Sequence, residues 1–279
     1  MAVLDFTLSV VCLLLWLNWR SRGLGALPNR PPPLQLLGTL RRAGSRPRER
    51  WSSPLVLAAI LLLRAIIYWQ VGPGLRWLPQ LSMPGFVLHF RPDVLGRMLV
   101  FSLLGFIVLL GAFYFSLLLI AAVNAKEDDP WTSLVRAHLG PLARLHPWLC
   151  LVLPFWASFL FWLAMAPLLA AIHVHLPIRS FAQLCGQAAV VGLGGWLLWR
   201  YALAVVFFLH IVSSYVYLGN APFWKFISAT AQNFLRPVAW LPLRLGRIDL
   251  KPLLALALVI CASIFIPNLL ASLYRQVSL

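Results

Sequence analysis

Residues able to do acid–base, nucleophilic or metal chemistry are few and dispersed in this sequence. Of 7 acidic residues, Glu127, Asp128 and Asp129 form one cluster, Asp249 stands just ahead of an apolar run, and Asp5, Glu49 and Asp93 are isolated. Acid–base catalysis needs titratable groups that converge on one point. No Ser/His/Asp set, H-E-x-x-H pair or phosphate-cradling glycine loop supplies them. His173 and His175 have a spacing that could hold a metal on an extended segment, yet no acidic or Cys residue lies near to complete the ligand set. His210 lies within an apolar run, where a histidine bonded across helices is the expected state; haem ligation would need a second axial partner that the sequence does not identify. Cys12, Cys150, Cys185 and Cys261 lie in apolar runs without CxxC spacing and read as small core residues. The expectation is a protein that is no enzyme and carries no cofactor or metal.

The elements that must position these residues are membrane helices. Apolar residues make up 61% of the 279 positions and charged ones 11%, and the mean hydropathy is +0.85. A soluble domain with a solvated surface does not sustain that balance. A spanning helix needs about 20 apolar residues, and the candidates are 3–19, 54–70, 98–123, 148–171, 196–218 and 253–273. The first is short and includes Asp5 and Asn18, but the acidic residue and the lack of a small-residue cleavage pattern favour an anchor over a secretory signal.

The net charge of +16 is distributed unevenly between the loops. One set of alternate loops carries Arg20, Arg22, Arg30, Arg41, Arg42, Arg46, Arg48 and Arg50, then Lys126, Arg136 and Arg144, then Lys225, Arg236, Arg244, Arg247 and Lys251. The other side holds Arg76, Arg91, Arg97, Arg179 and Arg275. The positive-inside rule places the first set in the cytoplasm and both termini outside. Arg64 and Arg200 fall inside apolar runs near Trp69 and Trp196, and snorkelling to an outer aromatic belt is the expected solution, with a buried functional cation as the alternative. The run 180–218 exceeds one ordinary span. Gly192, Gly194 and Gly195 suggest a break, with 180–193 as a short interfacial or re-entrant helix; one long tilted helix is the other reading.

Residues 20–51, with Pro28, Pro31, Pro32, Pro33 and many arginines, read as a cytoplasmic linker in which Leu34, Leu37 and Leu40 could form a short helix on anionic lipid. Without interleaved aromatics, nucleic-acid binding is not expected there. The chain divides into 1–51 (anchor and basic linker), 52–97 (second span and outer loop), 98–172 and 173–279, the last two being repeats of span, amphipathic segment and span. In the first repeat Asp129-Pro130 opens a helix with Trp131, Leu134, Val135, His138, Leu139, Leu142 and Leu145 on one stripe. In the second, Pro222 precedes Phe223, Phe226, Ile227, Thr230, Ala231 and Phe234, with Lys225, Ser228, Gln232, Asn233 and Arg236 on the far face. Gly140-Pro141 and Arg236-Pro237 end the two stripes. The expected binding groups are Lys225, Arg236, Arg244 and Arg247 for phosphates and Phe223, Phe226 and Phe234 for acyl chains or a partner. Asp249 is placed to cap the last span and Pro252 to occupy its first turn.

The segments Asn220-Ala221-Pro222-Phe223, Phe234-Leu235-Arg236-Pro237 and Gly246-Arg247-Ile248-Asp249-Leu250-Lys251-Pro252 resemble, in this order, the motifs of the YggT family of small bacterial membrane proteins. That family has two such repeats, with an N-P segment, an L-L-R-P turn and a G-G-I-D-x-S-P lead into the following helix. The resemblance covers about 196–273 and, through Asp129-Pro130 and Leu139-Gly140-Pro141, part of 98–171; Leu63-Arg64-Ala65 and Trp69 match the family's L-R-A-x-x-x-W helix. Arg247 stands for the second glycine and Lys251 for the usual serine. The apolar runs predict an all-α membrane protein of about six transmembrane helices, and the resemblance implies two tandem repeats of span, amphipathic segment and span in a bacterial plasma membrane. It also implies roles linked to osmotic tolerance, cell shape or division, or, in chloroplast relatives, cytochrome b-type complex assembly and nucleoid organisation. The resulting expectation is a scaffold or assembly factor that binds anionic lipid and a membrane protein partner. A small-solute or ion transporter is the alternative.

Overall fold

A computed structural model describes residues 2–23, 48–75, 77–83, 85–127, 129–216, 219, 221–238, 240, 244–245 and 248–278. The predicted linker at 24–47, with its leucine stripe, lies outside the described residues, as do Asp128, Asn220, Gly246 and Arg247. The chain is an all-helical membrane protein. Its helices among the described residues are α1 (Ala2–Gly23), α2 (Arg48–Val71), α3 (Leu95–Val123), α4 (Pro130–Leu139), α5 (Pro147–Ala171), α6 (Phe181–Leu197), α7 (Trp199–Tyr215), α8 (Pro222–Leu235) and α9 (Lys251–Ser278). Among the described residues, six helical segments are long and apolar enough to cross a membrane: 3–21, 53–71, 95–123, 147–171, 181–215 and 251–278.

The two repeats are α3–α4–α5 and α7–α8–α9. Leu118, Ala121, Leu139 and Cys150 form the core of the first, and Val206, Phe207, Ala231 and Leu235 that of the second. α1 joins α2 and α3 through Cys12, Leu57, Leu61 and Phe106. The capping signals act as chemistry demands. Asp129 Oδ2 accepts the Trp131 N–H at 3.1 Å with Pro130 at the first helical position. Ser180 Oγ accepts the Gln183 N–H at 3.1 Å while Gln183 Oε1 reaches back to the Arg179 N–H at 2.9 Å, a variant of the reciprocal capping box.

The run 181–215 is one rod rather than a re-entrant helix followed by a span. α6 passes through Gly192, Gly194 and Gly195 without a break, and only Leu198, still right-handed helical at φ −65° and ψ −21°, separates it from α7. The glycines serve close packing against α5. A Cβ on Gly195 would lie 2.5 Å from the Pro154 carbonyl oxygen and 2.6 Å from Ser158 Oγ, and one on Gly192 would lie 2.9 Å from the Phe155 ring. Small residues let membrane helices approach where lipid offers no hydrophobic drive for association. At 1.5 Å per residue the rod is about 52 Å long, well beyond a hydrocarbon core of about 30 Å, so it must tilt or project.

Strand pairing adds two small hairpins. At one end β1 (Gln80–Met83) pairs antiparallel with β2 (Phe86–His89). Gly85 takes φ +102° at the turn and lies against the Leu270 backbone of α9, a conformation and an approach that suit a residue without Cβ. At the other end β3 (Arg244–Leu245) pairs with β4 (Ile248–Asp249), in register Arg244 with Asp249. α9 starts at Lys251 and the Leu254 N–H bonds the Leu250 carbonyl, so the backbone of Asp249, in the hairpin, lies one residue ahead of the cap position at Leu250. Pro252 is in the first turn, as its type requires, and is buried.

Candidate functional site

Two polar sites stand out, one within the spans and one where the amphipathic helices meet. Within the spans, Arg64 is 1% exposed. Its Nη2 bonds Asp5 Oδ1 at 2.5 Å, its Nε donates to the Tyr68 hydroxyl at 3.2 Å, and that hydroxyl donates to the same carboxylate oxygen at 2.6 Å. The guanidinium carbon lies 5.6 Å from the Tyr68 ring centre and 5.7 Å from that of Phe101. Arg64 therefore does not snorkel. A charge this deep persists because Asp5 on the neighbouring helix neutralises it and Tyr68 closes the third side.

Arg200 corrects the other snorkelling expectation. Because the rod begins at Phe181, Arg200 is about five turns along it. Its Nη1 reaches the Ser263 carbonyl, midway along α9, at 3.5 Å; Nη2 donates to the Tyr201 hydroxyl at 2.7 Å, and the guanidinium lies 4.7 Å from the Tyr201 ring centre. Trp196, expected in an outer belt, instead donates to the Leu151 carbonyl near the start of α5 at 2.9 Å.

The second site is a platform formed by α4 and α8. Asn124, the first residue beyond the α3 span, is 1% exposed and joins the two repeats. Its Nδ2 donates to Thr230 Oγ1 at 2.8 Å, its Oδ1 accepts from Asn233 Nδ2 at 3.0 Å, and Thr230 passes its own proton to the Phe226 carbonyl at 2.8 Å. Arg136 of α4 donates to the carbonyls of Asn124 and Ala125, at 3.0 and 2.8 Å, where α3 leaves carbonyls without helical partners. Trp131 packs edge-on against Phe223, with centres 5.5 Å apart, and lies 6.4 Å from Phe226.

The expected acyl-contacting rings thus have partners inside the chain: Phe223 and Phe226 are half-buried against Trp131, and Phe234 against Phe207 with centres 6.0 Å apart. Two amphipathic stripes at the same end cover each other in part. Lys225, Arg236 and Pro237 are exposed; Arg244 and Asp249 are described by backbone alone, and Gly246 and Arg247 lie outside the described residues. What faces outward at this end includes the basic Lys126, Arg144, Lys225 and Arg236 beside the acidic Glu127, with Trp148 71% and Trp240 79% exposed. Lysine, arginine and tryptophan together are the composition of headgroup depth. Asn124, Arg136 and Asn233 as a junction escaped the sequence reading, because each is an ordinary polar residue at a helix end; the one signal was an asparagine directly after a long apolar run.

At the opposite end His175 donates from Nδ1 to the Leu176 carbonyl at 2.7 Å, which leaves Nε2 to accept the Tyr274 hydroxyl, also at 2.7 Å. Burial lowers the His175 pKa, partly offset by the bond to the Leu176 carbonyl, so the ring is neutral at pH 7. His173 takes a left-handed backbone at φ +57° beside it. Among the described residues no group of three His, Cys, Asp or Glu side chains comes together.

Comparison with protein-family models, with curated proteins and with solved structures finds no match to this chain.

Proposed function

We propose that this protein is a non-enzymatic membrane scaffold or assembly factor of the YggT type, in the plasma membrane of a bacterium with the α4–α8 platform in the cytoplasm. Its platform binds the anionic inner leaflet and a membrane protein partner. The observation that carries this reading is the joining of two amphipathic helices by Asn124 into one face whose exposed side chains include Lys126, Arg144, Lys225, Arg236, Trp148 and Trp240. Each basic residue near an anionic surface contributes about 1 kcal/mol of attraction. The motif resemblance to YggT proteins, organisers of envelopes and membrane complexes, supports the same role.

Photoreactive residues at positions 225 and 236, which face outward, test it in native membranes. A reproducible crosslinked membrane protein, lost when Lys126 and Arg144 are changed to Glu, is the expected result. Lipid adducts alone, unchanged by that charge reversal, would remove the partner from the proposal. The alternative, a small-solute or ion transporter, is favoured by Arg200, whose Nε is buried without a hydrogen-bond partner midway along a span. Substrate-dependent flux in liposomes, abolished by Arg200→Gln, would establish it.

A further inference from the structure

Between the two platform helices lies a pocket of about 150 Å³ lined by Asn124, Glu127, Asp129, Thr132, Lys225, Phe226 and Ala229. Its chemistry is not that of a simple ion site. Lys225 and Glu127 line the same space, yet among the described residues neither side chain has an ion-pair or hydrogen-bond partner. Asp129 uses Oδ2 to cap α4, which leaves Oδ1 available. Thr132 is 1% exposed, and its Oγ1 is buried with no hydrogen-bond partner. A buried hydroxyl without a partner, on a residue that lines a polar pocket, is a standing cost that a ligand group reaching it removes. Asn124 is already held by Thr230 and Asn233 through its amide, which commits its side chain to the junction between the helices.

A bare cation is disfavoured by Lys225, and a bare phosphate by Glu127 and Asp129. A ligand with both charges, separated by a short bridge, satisfies both walls. A primary ammonium has three N–H donors and no acceptor, matching Glu127, Asp129 Oδ1 and Thr132 Oγ1, while Lys225 meets an anion. The depth selects the anion. The pocket begins at Asn124, immediately beyond the last residue of the α3 span, where a bilayer presents phosphates. Water occupies about 30 Å³ in the liquid, so the pocket takes the aminoethyl end of a headgroup with its phosphate at the mouth.

We propose that this pocket binds the aminoethyl phosphate headgroup of phosphatidylethanolamine, with the ammonium at Glu127, Asp129 and Thr132 and the phosphate at Lys225. The proposal rests on the reading that the platform faces lipid headgroups and adds a class of lipid to it. Phe226 and Ala229 form the apolar wall against the ethylene bridge.

The test uses the full chain in nanodiscs containing phosphatidylethanolamine, phosphatidylcholine and phosphatidylglycerol in equal parts, with retained lipid read by native mass spectrometry. Phosphatidylethanolamine is expected to be retained over phosphatidylcholine by about tenfold, because the trimethylated amine offers no N–H. Glu127→Gln, on an exposed side chain that folding does not need, and Thr132→Val should each reduce that preference several-fold, and Lys225→Gln should reduce retention. Free phosphoethanolamine is the second arm: displacement of the lipid would show that the ammonium and phosphate suffice, whereas binding of the free compound with no lipid preference would assign the same chemistry to a soluble ligand. Equal retention of the two zwitterionic lipids with no binding of phosphoethanolamine would overturn the proposal. Phosphatidylglycerol separates the two readings. Its loss on Arg144→Gln and Arg236→Gln, without ethanolamine preference in the parent protein, would leave the platform reading standing and remove this one; retention of neither lipid would remove both.

Discussion

At the scale of single residues, the governing fact is that a charge inside a membrane protein must be answered by the protein itself. Asp5 is a liability for a short first span when α1 is considered alone, and Arg64 is one for α2. Together they form an ion pair in which the arginine side chain is 2% exposed and the aspartate 32%. Breaking one member leaves the other buried and unpaired, which costs about 3–5 kcal/mol, whereas replacing both by apolar residues is often neutral. Asp5→Leu alone should therefore lower the thermal unfolding midpoint in detergent steeply, and Asp5→Leu with Arg64→Leu should recover most of the loss. Additive effects of the two substitutions would show that the pair is not the link between α1 and α2. Tyr68 makes the coupling three-way, because its hydroxyl accepts from Arg64 and donates to Asp5.

At the scale of elements, helix approach decides what a glycine means. Glycine weakens a helix by about 1 kcal/mol relative to alanine, and a run of three suggests a break when the helix is read by itself. Packed on α5, the same residues are contact points, and the helix continues through them. Gly195→Ala places a methyl 2.5 Å from the Pro154 carbonyl oxygen, where backbone cannot yield cheaply, while Gly111→Ala in α3 meets nothing within 4 Å. We expect Gly195→Ala to destabilise by about 1–3 kcal/mol through overpacking and Gly111→Ala to be neutral or to stabilise slightly. Unfolding midpoints of the two variants, measured side by side, check this. A destabilising Gly111→Ala or a neutral Gly195→Ala would contradict the packing described here.

At the scale of the whole molecule, two polar clusters at opposite ends tie together segments far apart in sequence. One is the Asn124 junction between repeats. The other brings Phe86 of the β1–β2 hairpin onto Tyr274 of α9 with ring centres 4.3 Å apart, and joins Tyr274 to His175 in the link after α5, with Trp162 edge-on to His175 at 5.5 Å. This second cluster should respond to acid. The His175 pKa is lowered by burial relative to an unfolded value of about 6.5, so the unfolded state binds the proton first as pH falls. The contribution of the neutral ring is therefore fully present above about pH 6.5 and is lost as pH falls below it through the folded value. Protonated Nε2 can no longer accept the Tyr274 hydroxyl. Thermal midpoints followed by tryptophan fluorescence should decline from about pH 7.5 to pH 5, and His175→Gln should flatten that decline; parallel profiles for the two proteins would exclude His175 as its source.

What the sequence determined by itself is whatever depends on residues adjacent along the chain. Apolar length predicts six spans, helical periodicity and proline mark α4 and α8, and the order of elements predicts two repeats with both amphipathic helices at one end; Asp129 caps α4 because its partner N–H is two residues away. The β1–β2 turn was legible in principle from Pro84-Gly85 between short apolar runs, although long helices dominate that region. The tertiary structure decided every pairing across the chain: Asp5 with Arg64, Gly195 with Pro154, Arg200 with Ser263, Asn124 with Thr230 and Asn233, and Trp131 with Phe223. Periodicity says that a helix has an apolar face or a charge without a partner, but not which surface comes to meet it. That depends on the register and rotation of helices against one another, and those are set by packing of side chains contributed from distant parts of the sequence.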